Sequence, residues 1–194
     1  TPPVECLSRT GPSKSHVSTS PLSRIPLVKA TRPACDNPFR QTAIAKAPAC
    51  ASDNHSAFDF WIGTWDVTAA GQDQPSAVNR ISREHGGCVI HEDYSTKGGY
   101  TGMSMSFYDA ARKKWHQTWM GADGGALFIE GGLNERGEMV LSNRNTPYFK
   151  EGMKINRVTW TPMADGSVRQ HWQASMDGGN TWSVVFDGLY VKRP

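Results

Sequence analysis

Between residues 57 and 194, apolar and polar side chains alternate in short runs, and most runs end at a cluster of Gly, Asp or Asn. Alternation over about four to eight residues marks a strand with one covered face, because successive side chains point to opposite sides. Ten such segments are predicted: 63–69, 77–84, 88–95, 101–108, 114–120, 126–133, 138–143, 153–161, 167–176 and 181–192. Between them lie Gly86-Gly87, Gly98-Gly99, Asp123-Gly124-Gly125, Asn134-Glu135-Arg136-Gly137, Ala164-Asp165-Gly166 and Asp177-Gly178-Gly179-Asn180. These are residues that tolerate the positive φ of tight turns. No connection is long enough for a parallel crossover, which needs about a dozen residues or more. The expected fold is all-β, a ten-stranded antiparallel up-and-down meander. Closure into a barrel would remove its two exposed edges. A helical turn over Asp59–Trp61 is expected to plug one end.

Alternation assigns faces once one residue is anchored, and Trp65 is taken as facing inward. Cys88, Ile90, Glu92 and Tyr94 then share an inner face, as do Trp115, Gln117 and Trp119, and Val168, Gln170, Trp172 and Ala174. On the eighth segment Arg157, between Ile155 and Thr159, is read as inward, and on the second Asn79 beside Ile81. His91, His116 and His171 fall on the opposite, outer face, so they do not converge as a metal site requires.

Residues 1–55 follow no such period. They carry eight of the chain's twelve prolines together with frequent Ser and Thr. A segment of this kind buries too little apolar surface to offset its ordering entropy, so disorder is expected, with docking from about Ala47 onward. The domain division expected is therefore 1–55 and 56–194. The apolar run 25–28 is too short for a signal-peptide core, which takes about seven residues or more. No run approaches the roughly 20 residues of a membrane-spanning helix.

Charge adds an exclusion: 21 Lys and Arg against 18 Asp and Glu, a net +3 with no basic cluster, do not describe a nucleic-acid surface. Cys6, Cys35, Cys50 and Cys88 contain no C-x-x-C pair, which argues against zinc and thioredoxin-like chemistry. Of the three full pairings, one joining Cys50 to Cys88 is favoured, since both lie in or just before the patterned region. That bridge would suit an exported or periplasmic setting, and four free thiols a reducing one.

Ser175-Met176-Asp177-Gly178-Gly179-Asn180-Thr181-Trp182 matches the pattern S-x-D-x-G-x-T-W. It resembles the Asp-box hairpin of sialidases, where the Asp holds its own turn and is remote from catalysis. Phe58-Asp59-Phe60-Trp61-Ile62-Gly63-Thr64-Trp65-Asp66-Val67 resembles the opening of a bacterial domain family of unknown function, F-D-F-W-x-G-x-W-[DE]-V. Further pieces of the resemblance follow at Asn79 with Ile81, at Gly86-Gly87-Cys88-Val89-Ile90 with Glu92, at Tyr108-Asp109, and at Lys114-Trp115-His116-Gln117-Thr118-Trp119. Gly131-Gly132, Arg157-Val158-Thr159-Trp160-Thr161-Pro162 and Gly166-Ser167-Val168-Arg169-Gln170 complete it. It implies a calycin-like barrel, similar in shape to fatty-acid-binding proteins, lipocalins and nitrobindins, and no transferable activity. Gly63-Thr64-Trp65 is similar to the lipocalin G-x-W, whose Trp closes the barrel floor beneath a basic side chain. Lys192 or Arg193 would fill that role here. Nitrobindins hold haem through a His near the C-terminal end, and no His follows His171, so haem is not implied and the cofactor stays open.

The candidate site gathers the polar residues on the apolar faces. Trp65, Trp119, Trp172 and Met103 or Met105 would be walls, and Asn79, Glu92, Gln117, Arg157 and Gln170 polar anchors. An inward Arg157 would grip a carboxylate with two hydrogen bonds, so a small, partly apolar, carboxylate-bearing ligand is one expectation. Alternatively, Glu92 and Arg157 satisfy each other inside a filled structural barrel. A third reading is an enzyme using Glu92 as acid or base, with Ser104, Ser106 and Tyr108 on one nearby face. No G-x-S-x-G or H-E-x-x-H motif is present, so no catalytic residue and no metal ligand is assigned.

Overall fold

The computed structural model describes residues 49–194. Cys6, Cys35 and most of the segment expected to be disordered lie outside the described residues. Ten strands follow one another in chain order. They are β1 (Gly63–Ala69), β2 (Ala77–Glu84), β3 (Val89–Thr96), β4 (Thr101–Asp109), β5 (Lys114–Gly121), β6 (Ala126–Leu133), β7 (Met139–Ser142), β8 (Ile155–Pro162), β9 (Val168–Ser175) and β10 (Ser183–Lys192). Each pairs antiparallel with its sequence neighbours, and β10 returns to β1, so the sheet is a closed barrel.

The seam runs from Trp65 opposite Lys192 to Ala69 opposite Gly188. Beyond it the Arg193 N–H donates to Thr64 O at 2.8 Å, and the Arg193 guanidinium reaches Asp66 Oδ1 at 2.6 Å. The ammonium of Lys192 lies 5.5 Å from the Trp65 ring centroid. Of the two basic residues expected over Trp65, Lys192 thus takes the cation–π position and Arg193 pairs with Asp66.

One end of the barrel is packed solid. A 3-10 turn at Asp59–Trp61 places Phe58 and Trp61, both fully buried, across it. Their rings stack at 4.9 Å, and Trp160 and Trp115 approach the Phe58 ring edge-on at 5.1 and 5.7 Å. Trp65 Nε1 donates to Trp61 O at 2.9 Å, which ties this plug to β1. Ile90, Ile129, Met139 and Leu141 fill the space between these rings and the strands.

The chain leading into the plug is held from outside. Cys50 and Cys88 form a disulfide, the pairing favoured from their positions. A single helical turn, Asp53–Ser56, offers the Asn54 carbonyl to Trp115 Nε1 at 3.1 Å and the His55 carbonyl to Arg83 at 3.0 Å. Arg83 also forms an ion pair with Asp59.

At the hairpin joining β9 to β10, the Asp177 carboxylate accepts the Thr181 N–H at 2.9 Å, the Thr181 hydroxyl at 2.6 Å and the Ser175 hydroxyl at 2.8 Å. These donors hold its pKa well below the usual carboxylate range. Such a carboxylate is occupied in fixing its own turn.

The disulfide spans a sequence separation of 38 residues and anchors the segment that carries the plug. Replacing both cysteines by serine is expected to lower unfolding free energy by about 2–4 kcal/mol. Urea denaturation followed by tryptophan fluorescence measures this, and an unchanged midpoint would show that the plug holds without the cross-link.

Candidate functional site

The other half of the barrel is hollow. A cavity of about 300 Å³ lies above the plug, lined from β3 by Glu92, Tyr94 and Thr96, from β5 by Gln117 and Trp119, and from β6 and β8 by Leu127 and Val158. Gln170 and Trp172 of β9 and Val185, Phe186 and Tyr190 of β10 complete the wall, and Tyr100 reaches in from the turn before β4. Tyr100 and Val185 are exposed and stand at the mouth. The barrel therefore has open space at this end.

Between plug and cavity lies a belt of buried polar groups. Asn79 Nδ2 donates to Glu92 Oε1 at 2.7 Å, and the Ser104 hydroxyl donates to Glu92 Oε2 at 2.6 Å. Gln117 Nε2 donates to the Ser106 hydroxyl at 3.0 Å, and the Tyr190 hydroxyl donates to Gln170 Oε1. Asn79, Ser104 and Ser106 are fully buried, and Glu92 is 4% exposed. Asn79 Oδ1 has no partner among the described residues. A buried acceptor left unpaired is costly, which makes this atom informative about what else the belt can hold.

Burial dominates the acidity of Glu92. It pushes the carboxyl pKa from 4.5 up to about 7, against the lowering effect of the Ser104 and Asn79 hydrogen bonds. Burial likewise raises Tyr94 and, further, Tyr190, and the nearby Glu92 carboxylate adds to both. No Arg, Lys or His among the described residues lines the cavity.

Of the residues expected at the site, Glu92, Gln117, Trp119, Gln170 and Trp172 line the cavity together. Asn79 sits beneath it on Glu92, and Trp65 is buried at the floor. Arg157 is placed differently. Val158 lines the cavity and Trp160 packs on Phe58, so Asn156, Val158 and Trp160 face inward and Arg157 faces outward. Its guanidinium lies 4.0 Å over the Trp182 ring and donates to Gln173 Oε1 at 2.8 Å. The inward expectation failed because it was anchored on Ile155, which is buried although it belongs to the outer face at the start of β8. The expected Glu92–Arg157 pair therefore does not form. Met103 and Met105 are also outward, since their strand turns Ser104 and Ser106 inward, and Met105 is exposed. Tyr108 packs near His55 and Trp115, at the plugged end.

The outer histidines have partners of their own. His91 meets Glu84 at 3.2 Å, and His116 lies between Thr118 at 2.8 Å and Glu130 at 3.4 Å. Among the described residues no cluster of three His, Cys, Asp or Glu could hold a metal ion, and no helix is long and apolar enough to cross a membrane.

Sequence reasoning missed two glycines that shape the walls. A Cβ on Gly102 would stand 2.2 Å from the Trp119 ring, and one on Gly188 would stand 2.5 Å from the Phe186 ring. Each of these rings occupies the space that a side chain at the glycine would need. It also missed Phe186 and Tyr190. They share a face with Gly188, but a register shift between Val184 and Phe186 breaks the alternation at the start of β10.

No protein-family model matches the chain, and no curated protein matches it. The fold defines the class as a closed ten-stranded antiparallel β-barrel.

The raised pKa of Glu92 makes stability depend on pH. An unfolded glutamate loses its proton near 4.5, whereas the folded one keeps it to about 7, so the folded state binds the extra proton in between. Its contribution is fully present below the unfolded value and is lost as pH rises through about 7. Urea stability of the wild type is expected to fall by about 3 kcal/mol from this group over that window. Glu92→Gln should remove the fall, and an identical pH profile in the variant would contradict the assignment.

Proposed function

We propose that this protein is a binding module that takes one small, partly apolar molecule into the open half of its barrel. The observation that carries the reading is the cavity itself, about 300 Å³ with aromatic walls and a polar floor. Ligand sites are commonly concave, apolar for most of their lining, and supplied with a few convergent polar groups. The sequence resemblance to a calycin-like family agrees with this reading. Glu92, Gln117, Trp119, Gln170 and Trp172 are the proposed contacts, with Asn79 orienting Glu92 and Trp65 supporting the floor. Arg157 has no part in it, so the carboxylate grip expected from the sequence is not proposed. The Cys50–Cys88 bridge favours an oxidising, extracytoplasmic setting.

An enzyme on the same scaffold has one specific observation in its favour, the Glu92 carboxyl poised at about 7 inside the cavity. A proton-transfer role would suit that value. Ser104, 2.6 Å from Glu92, is fully buried and does not line the cavity, so binding is the better-supported reading.

The probe for the test is 2-phenylethanol, a neutral molecule with an aromatic body. In ¹⁵N-resolved NMR spectra it is expected to move the indole signals of Trp119 and Trp172 saturably and leave that of Trp182 in place. Leu127→Trp, which adds a ring from the cavity wall, should abolish the shifts. Shifts that survive this substitution, or that centre on Trp182, would overturn the reading.

A further inference from the structure

The lining of the cavity has an uneven chemistry. It offers a carboxyl group, several aromatic faces and uncommitted acceptors, and among the described residues it offers no cationic side chain. Tyr94, Tyr100, Trp119, Trp172, Phe186 and Tyr190 supply the aromatic surface, with Tyr94 and Trp119 in an edge-to-face pair at 6.0 Å. Aromatic faces carry negative quadrupole potential and attract cations, more strongly where water is excluded.

At the floor, each oxygen of Glu92 accepts one hydrogen bond from the protein, from Asn79 and from Ser104. A carboxylate accepts about four, so capacity remains on both oxygens. Beside it Asn79 Oδ1 is buried and accepts nothing among the described residues. A group that brings N–H donors and a positive charge would use the capacity left on Glu92, which lines the cavity.

An anion meets the opposite conditions. Arg157 lies outside on Trp182 and Gln173, and Lys192 lies over Trp65 at the closed end. A carboxylate in the cavity would face Glu92 with no counter-charge, and burying an unpaired charge is prohibitive. A metal cation is also poorly matched, because hard cations need several oxygen ligands and the lining supplies one carboxyl group.

We propose that the ligand is an organic ammonium, a protonated primary or secondary amine on a compact apolar or aromatic body. Its N–H groups meet Glu92, and its body lies between Trp119, Trp172 and Phe186. This rests on the cavity being a binding site and names the chemistry it selects. The ammonium supplies the counter-charge that the buried carboxylate lacks. The groups facing Glu92 are Asn79 from β2, Ser104 from β4, Tyr94 on its own strand and Tyr190 from β10, while His91 lies on the outer face. None of those facing it is cationic, so below about pH 7 the amine must displace the Glu92 proton, and binding releases it to the buffer.

The experiment is isothermal titration calorimetry of the full chain with 2-phenylethylamine, 2-phenylethanol and phenylacetate, probes of one body and three charges. At about pH 8 the amine is expected to bind at least about tenfold more tightly than the alcohol, with phenylacetate weakest. Glu92→Gln should bring the amine to the level at which the same variant binds the alcohol. At about pH 6 the wild-type binding enthalpy should vary with the ionisation enthalpy of the buffer, and that of Glu92→Gln should not. If the alcohol or phenylacetate equals the amine, or the variant keeps the amine preference, the ammonium assignment fails while the cavity stands as a binding site. If none of the three binds, both fail. The comparison among probes on the wild type decides the matter even if the variant does not fold.

Discussion

The pairing of β1 with β10 is the contact on which the rest of this molecule depends. Without it the meander would expose two strand edges and have no inside. With it, every second residue of ten strands is enclosed. A ten-stranded circumference is wide for side chains alone to fill, and the protein closes only one end with them. Four large aromatic rings and a 3-10 turn occupy that end, cross-linked from outside by Cys50–Cys88. The other half is left as a cavity, and two of its aromatic rings, Trp119 and Phe186, take the space above Gly102 and Gly188.

The boundary between the two halves is the costly part of the design. Placing Glu92 there takes a carboxyl group out of water, and its shift toward neutrality is the measure of that cost. Asn79 and Ser104 offset part of it. A filled barrel would gain from an apolar residue at this position. A carboxyl group that faces an open, aromatic-walled space acquires a use once a positively charged guest arrives, which is the physical content of the ammonium proposal.

Most of the architecture was legible in the sequence because period-2 alternation and glycine-rich turns are local signals. The ten strands to within a residue or two, the helical turn under the barrel, the favoured Cys50–Cys88 pairing and the placing of Lys192 or Arg193 over Trp65 follow from such signals, from position in the chain or from the resemblance. The inner faces of β3, β5 and β9 were readable for the same reason, and with them Glu92, Gln117, Trp119, Gln170 and Trp172. Arg157 was misread because Ile155 and Asn156 are both buried, so alternation fails at the start of β8 and a parity counted from Ile155 is inverted. The register shift just before Phe186 breaks the alternation at the start of β10, whereas Tyr190 shares the face of Lys192 and was readable but overlooked. The roles of Gly102 and Gly188 depend on ring positions that no local pattern encodes.

The charge state of Glu92 joins the fold to the proposed chemistry, and one spectroscopic titration reads it directly. The side-chain carboxyl ¹³C signal of Glu92, followed against pH in the presence and absence of 2-phenylethylamine, should show a midpoint of about 7 for the free protein and a lower one with the amine. A midpoint near the ordinary 4.5 that the amine does not move would contradict both the buried polar belt and the site built on it.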